Sequence, residues 1–104
     1  MRTIEINGVA YPFKYGFGAT LYAEEVLEKS WDEVNRKTVK AQMVLFCGCF
    51  FNANSDFPYH WIDLMGECDN DPTLYTRMND ELFDQLSRWG KPSEDSEDDG
   101  KKKN

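Results

Sequence analysis

Thr3-Ile4-Glu5-Ile6-Asn7-Gly8-Val9-Ala10-Tyr11-Pro12-Phe13-Lys14-Tyr15-Gly16-Phe17-Gly18-Ala19 is the stretch on which the fold turns. Two β-rich runs flank Asn7-Gly8, and a type I′ turn needs positive φ at both central residues, which asparagine and glycine tolerate best. The spacing predicts a hairpin. Pro12 has no N–H to give a ladder, so its strand is expected at an edge, or bulged there. Gly16 and Gly18 end the extended run and let the chain change direction.

From Ala19 the period changes. Ala19, Tyr22, Ala23, Val26 and Leu27 recur at helical spacing with Glu24, Glu25 and Glu28 opposite, which predicts an amphipathic helix ending near Lys29. Leu21 lies off that stripe and is expected to reach back to the hairpin. Ser30-Trp31-Asp32-Glu33 has capping-box spacing and predicts a short helical turn. Residues 38–52 are apolar nearly all round, the pattern of a buried central helix. Within it Gly48 costs about 1 kcal/mol of propensity relative to alanine, so a neighbour is expected to approach closely there.

Asn52 to Asp56 is turn chemistry, and Phe57-Pro58 restarts the chain. A short helix is predicted from Tyr59 to Glu67, with Trp61, Leu64, Met65 and Cys68 on one side. Asp71-Pro72 pairs a capping aspartate with a proline pre-set for the first helical position. The last helix then shows Leu74, Tyr75, Met78, Leu82, Leu86 and Trp89 opposite Arg77, Asp80, Glu81 and Asp84, and Gly90 and Pro92 stop it.

These elements assemble into an α+β fold, mainly α, in which an N-terminal β-hairpin packs on a three- to four-helix bundle. The expected core is Ile4, Ile6, Tyr22, Val26, Val39, Met43, Phe46, Phe50, Leu64, Leu82 and Leu86. A length of 104 residues with 40% hydrophobic and 30% charged side chains supports one core and no second. That core is assigned to a single globular domain over 1–91. The remainder, 92–104, contains no apolar residue and is expected to be a disordered tail, acidic and then lysine-rich.

Nineteen Asp and Glu against twelve Lys and Arg give a formal charge of −7, which works against phosphate and nucleic-acid binding. An odd number of cysteines, three, and an N-terminus without an apolar export segment point to a reducing compartment, the cytoplasm. The longest apolar run, Met43 to Phe51, is about half the ~20 residues a membrane span needs. No membrane partner is expected.

Catalytic patterns are weak. The single histidine, His60, would have to serve as base for a cysteine or serine, and no motif surrounds such a pair. Cys47 and Cys49, two apart on a helix, point about 200° away from each other and cannot share a metal with His60 and Cys68 unless the helix breaks. Asp69, Asp71, Asp80, Glu81 and Asp84 lack a calcium-loop pattern and read as caps and a solvated face. Gly16-Phe17-Gly18 lacks the remainder of a phosphate-binding motif. Neither metal nor cofactor is expected, and no enzymatic activity. Three tryptophans, five tyrosines and seven phenylalanines are many for this length, and aromatics beyond core needs anchor protein interfaces.

Residues 3–19, with their Tyr-Pro pair, Gly-aromatic-Gly segment and following Glu-rich helix, resemble the opening of the tail assembly chaperones of long-tailed bacteriophages and prophages. The likeness is specific over about the first thirty residues and holds only in outline beyond them. It implies a non-enzymatic chaperone that binds the tape measure protein, a long aggregation-prone helical molecule, until tail tube subunits polymerise around it in the host cytoplasm. The tube subunit is a second implied partner. Trp31, Tyr59, Trp61 and Trp89 are the expected contacts, laid against apolar helix stripes. The net charge limits self-association without forbidding it. Such chaperones are often made in two lengths by ribosomal frameshifting, and Lys101-Lys102-Lys103 requires A-rich codons that could slip. By composition alone those lysines are a solvated basic end. Two other classes remain: an acidic host inhibitor or DNA mimic, whose carboxylates imitate phosphates, and a small enzyme built on His60.

Overall fold

Asn7 and Gly8 take φ of 53° and 82°, the left-handed pair a type I′ turn requires. They join β1 (Thr3–Ile6) to β2 (Val9–Pro12) in a two-stranded antiparallel sheet, with Ile6 opposite Val9 and Thr3 opposite Pro12. The computed structural model describes residues 2–89; Gly90, Pro92 and the tail expected over 92–104 lie outside the described residues. Alternation along β1 buries Ile4 and Ile6 and exposes Thr3 and Glu5. Asn7 also ties the turn to the helices, its Nδ2 donating to Glu67 Oε1 at 3.0 Å and to the Tyr59 hydroxyl at 3.3 Å. No atom lies within 4 Å of a Cβ built at Gly8, so Gly8→Ala tests backbone strain alone. It is expected to lower stability by about 1 kcal/mol, read as a lower urea midpoint.

α1 (Phe17–Leu27) begins two residues earlier than the periodicity indicated and stops at Glu28, which is left-handed with φ 56°. A 3₁₀ turn at Trp31–Glu33 follows, but not by the expected capping box. The Ser30 carbonyl, rather than its hydroxyl, accepts the Glu33 N–H at 2.9 Å, and Glu24 reaches across from α1 to take the Trp31 N–H at 2.7 Å.

α2 (Val39–Ala53) is capped by Thr38, whose hydroxyl accepts the Ala41 N–H at 3.2 Å. It is the central helix: Met43 through Phe50 is buried without a break. α1 packs along it at Gly48, where an added Cβ would stand 2.6 Å from the Ala19 carbonyl oxygen. The chain then returns beside α2. Phe57 stacks on Phe50 with centroids 4.3 Å apart, and Cys47 Sγ contacts the Tyr59 carbonyl at 3.4 Å. α3 (Trp61–Asn70) opens with the His60 N–H donating to Asp63 Oδ2 at 3.1 Å and runs three residues past its expected end at Glu67. α4 (Pro72–Arg88) starts at the Asp71-Pro72 pair, Asp71 accepting the Thr73 N–H at 3.2 Å. It packs against α3, α2 and β1.

The core corrects part of the sequence reading. Val39 is 62% exposed because it is the first residue of α2, ahead of the packed turns, and Leu86 is 40% exposed on the last turn of α4. Tyr22 and Val26 are half-buried, and Leu21 is exposed instead of reaching back to the hairpin. Ala19, Ala23, Leu74 and Met78, on the apolar stripes but not in the expected core, are buried, as are Phe13 and Phe57, which belong to no stripe.

All three thiols are free. Burial pushes Cys47 and Cys68 up to about 11, and Cys49 higher still. The folded chain therefore holds protons that the unfolded chain releases at the ordinary thiol range. Their contribution to stability is complete below that range and declines as pH rises through the folded values. The urea midpoint is expected to fall between about pH 8 and about pH 10.5, and Cys47 and Cys49 are expected to resist alkylation until the protein unfolds.

Candidate protein-binding groove

α1 and α4 both lie against α2 yet form no extended interface with each other. Above α2, between α4 and the segment that follows α1, this leaves an open groove of about 180 Å³. Leu45 and Phe46 form its floor, Trp31 and Arg36 one wall, and Leu82, Phe83 and Leu86 the other. Trp89 stands three residues beyond Leu86, as the extended residue that caps the end of α4. There its ring meets Phe17 at 5.1 Å and Tyr15 at 5.4 Å, both edge to face. Phe17 is 79% and Phe83 64% exposed, and Trp89 is 43% exposed. Large apolar side chains left in water together, rather than singly, mark an interaction surface.

Several contacts hold this surface in place. The bond from Trp31 N–H to Glu24 fixes the near wall, and the Arg36 guanidinium lies over the Trp31 ring, 5.3 Å from its centroid. At the other end Gln85 imitates a strand: its Oε1 accepts the Tyr15 N–H at 2.7 Å and its Nε2 donates to the Phe13 carbonyl at 2.9 Å. Asn52 Nδ2 donates to the Lys14 carbonyl between them at 3.0 Å, and fits only because residue 18 is glycine, where a Cβ would fall 2.1 Å from Asn52 Oδ1. Gln85→Ala would leave the Phe13 carbonyl and the Tyr15 N–H without these partners. A loss of about 2 kcal/mol is expected, with a change in Trp89 fluorescence that a purely distant destabilisation would not produce.

Of the aromatics named from the sequence, Trp31 lines the groove, and Trp89 lies just past α4 against Phe17 and Tyr15. Tyr59 is half-buried against Tyr11 and Phe57, and Trp61 starts α3 with Lys40 Nζ 5.4 Å from its ring centroid; neither lines the groove. Phe17 and Phe83 were missed, and Leu86 was assigned to the core. One signal was available for Phe83: beside Leu82 it widens the apolar face of α4 beyond a single stripe. Phe17, between two glycines, belongs to no stripe and gave none.

Three of the four arginines are engaged in ion pairs away from the groove. Arg2 bridges Glu81 at 3.2 Å and Asp84 at 3.6 Å, Arg88 also pairs with Asp84, and Arg77 pairs with Asp71 at 3.1 Å. Among the described residues no group of three or more His, Cys, Asp or Glu is placed to hold a metal ion, and no helix is long and apolar enough to cross a membrane. No family model matches this sequence, and neither does any curated protein or solved structure.

Proposed function

We propose that this chain is a tail assembly chaperone of a long-tailed phage or prophage, acting without catalysis in the host cytoplasm. It holds an apolar helical segment of the tape measure protein in the groove over α2 until tube subunits replace it. The observation that carries the reading is the exposed apolar surface of Phe17, Phe83, Leu86 and Trp89 on a chain of formal charge −7. A helix with apolar residues at i, i+3, i+4 and i+7 presents a stripe that such a groove can cover, while the net charge keeps the carrier itself dispersed. The DNA-mimic reading is less favoured, because Glu81 and Asp84 on α4 are already paired with Arg2 and Arg88.

The test is co-expression of the full chain with the tape measure protein encoded in its genomic neighbourhood. The tape measure protein should move from the pellet to the soluble fraction with the native chain. It should stay in the pellet with Phe83→Asp combined with Leu86→Asp, two exposed positions whose change leaves the core intact. Equal solubility with the native chain, the variant and no chain at all would remove the reading.

A further inference from the structure

Arg36 is the one charged side chain among the described residues lining the groove. The other three arginines, Arg2, Arg77 and Arg88, are each paired with a carboxylate, whereas Arg36 makes no salt bridge among the described residues. It is exposed and its guanidinium lies over Trp31, with which it forms one wall. Burial, then Cys49, push the Tyr15 hydroxyl above its usual range, and Arg36 pulls it the other way.

An apolar helix laid over Leu45, Phe83 and Leu86 strips water from the guanidinium at the edge of the contact. A cation half-desolvated without a partner weakens the complex, and one met by a carboxylate strengthens it and fixes its register. Arginine suits this task, because its planar fork binds a carboxylate through two donors while its face stays on the indole.

We propose that the groove takes an amphipathic helix whose apolar stripe ends in a glutamate or aspartate bound by Arg36, which thereby sets the register of the bound helix. This rests on the groove being a helix-docking surface, as the chaperone reading holds, but not on the bound helix belonging to a tape measure protein.

The test uses the full chain and a synthetic helical peptide with leucines at i, i+3, i+4 and i+7 and a glutamate one turn beyond, followed by fluorescence anisotropy. The glutamate peptide should bind about tenfold more tightly than its glutamine counterpart, equivalent to ~1.4 kcal/mol. Arg36→Gln should erase that difference, and Arg36→Glu should transfer the preference to a peptide carrying lysine there. Arg36→Lys should keep only part of it, since lysine keeps the charge and loses the fork. Arg36 is exposed, so these variants are expected to fold, and their circular dichroism should match the native chain.

A glutamate preference that survives Arg36→Gln overturns the proposal, as does the absence of binding by every peptide. Concentration-dependent dimers broken by Phe83→Asp would assign the groove to a second copy and also overturn it. So would peptide binding that strengthens about tenfold, whatever the peptide's charge, when Glu94, Asp95, Glu97, Asp98 and Asp99 are made neutral amides, because the chain's own acidic segment would then be the occupant. Arg36-dependent peptide binding without solubilisation of the tape measure protein would retain this inference and remove the phage reading.

Discussion

Gly48→Val should cost about 3 kcal/mol or more, a large share of the about 5–15 kcal/mol that holds a domain folded. The position is helical, so propensity alone predicts a gain of up to ~1 kcal/mol from replacing glycine by alanine. Packing opposes it. The first added carbon would sit 2.6 Å from the Ala19 carbonyl oxygen and 3.2 Å from the Ala19 carbonyl carbon and Cα. Those are backbone atoms of α1, so relief requires moving a helix rather than rotating a side chain. Ala19 and Ala23 are fully buried on that same contact line, so no slack is left beside it. Gly48→Ala is expected to be net destabilising by about 1–2 kcal/mol, overpacking outweighing propensity, and valine's two further methyls deepen the clash. Urea unfolding of the two variants checks the order. A Gly48→Ala variant more stable than the native chain would mean that the helices separate freely.

The close approach at Gly48 was legible because a glycine inside an otherwise crowded apolar helix needs a reason. The hairpin was legible for a similar local cause, since Asn7-Gly8 answers a φ requirement set by two residues alone. The Asp71-Pro72 start of α4 belongs to the same class. Legibility ended where a residue's environment depends on parts of the chain far away. Val39 and Leu86 carry the same apolar signature as Met43 and Leu82, and only the placement of α1 and α4 over α2 decides that the first two meet water.

The groove is legible only in part for that reason. Excess aromatics raised the expectation of an interface, and Trp31 lines the groove proposed for one, but Phe17 and Trp89 are brought together by the Gln85 clamp on a segment 70 residues earlier. Nothing in the spacing of Gln85 on its helix marks it as a partner for the Tyr15 N–H. Arg36 likewise becomes distinctive only once the other three arginines are seen to be paired.

Phe50→Ala should be the largest single truncation in the core, costing about 3–5 kcal/mol. The ring is fully buried and packs on three parts of the chain at once. It stacks on Phe57 of the return segment at 4.3 Å with planes 3° apart, meets Phe13 beyond β2 edge to face at 4.9 Å, and touches Tyr11 of β2 at 6.5 Å. Truncation removes the ring's transfer free energy and leaves a cavity that the hairpin, α2 and the return segment would all have to close. They cannot move together easily, because the Lys14 N–H donates to the Cys49 carbonyl at 3.0 Å and the Phe13 carbonyl is held by Gln85. Phe50→Leu refills most of the volume without the aromatic pairing and should cost about 1–2 kcal/mol, so the gap between the two variants measures the cavity. Set against a total of about 5–15 kcal/mol for a domain, Phe50→Ala should retain helical circular dichroism at low temperature but lose much of its near-ultraviolet signal and melt early. The same change should loosen the Phe13 to Phe17 segment that carries one end of the groove. Peptide binding by Phe50→Ala should therefore weaken even below its melting transition, whereas unchanged affinity would show that the groove end is held by Gln85 and Asn52 alone.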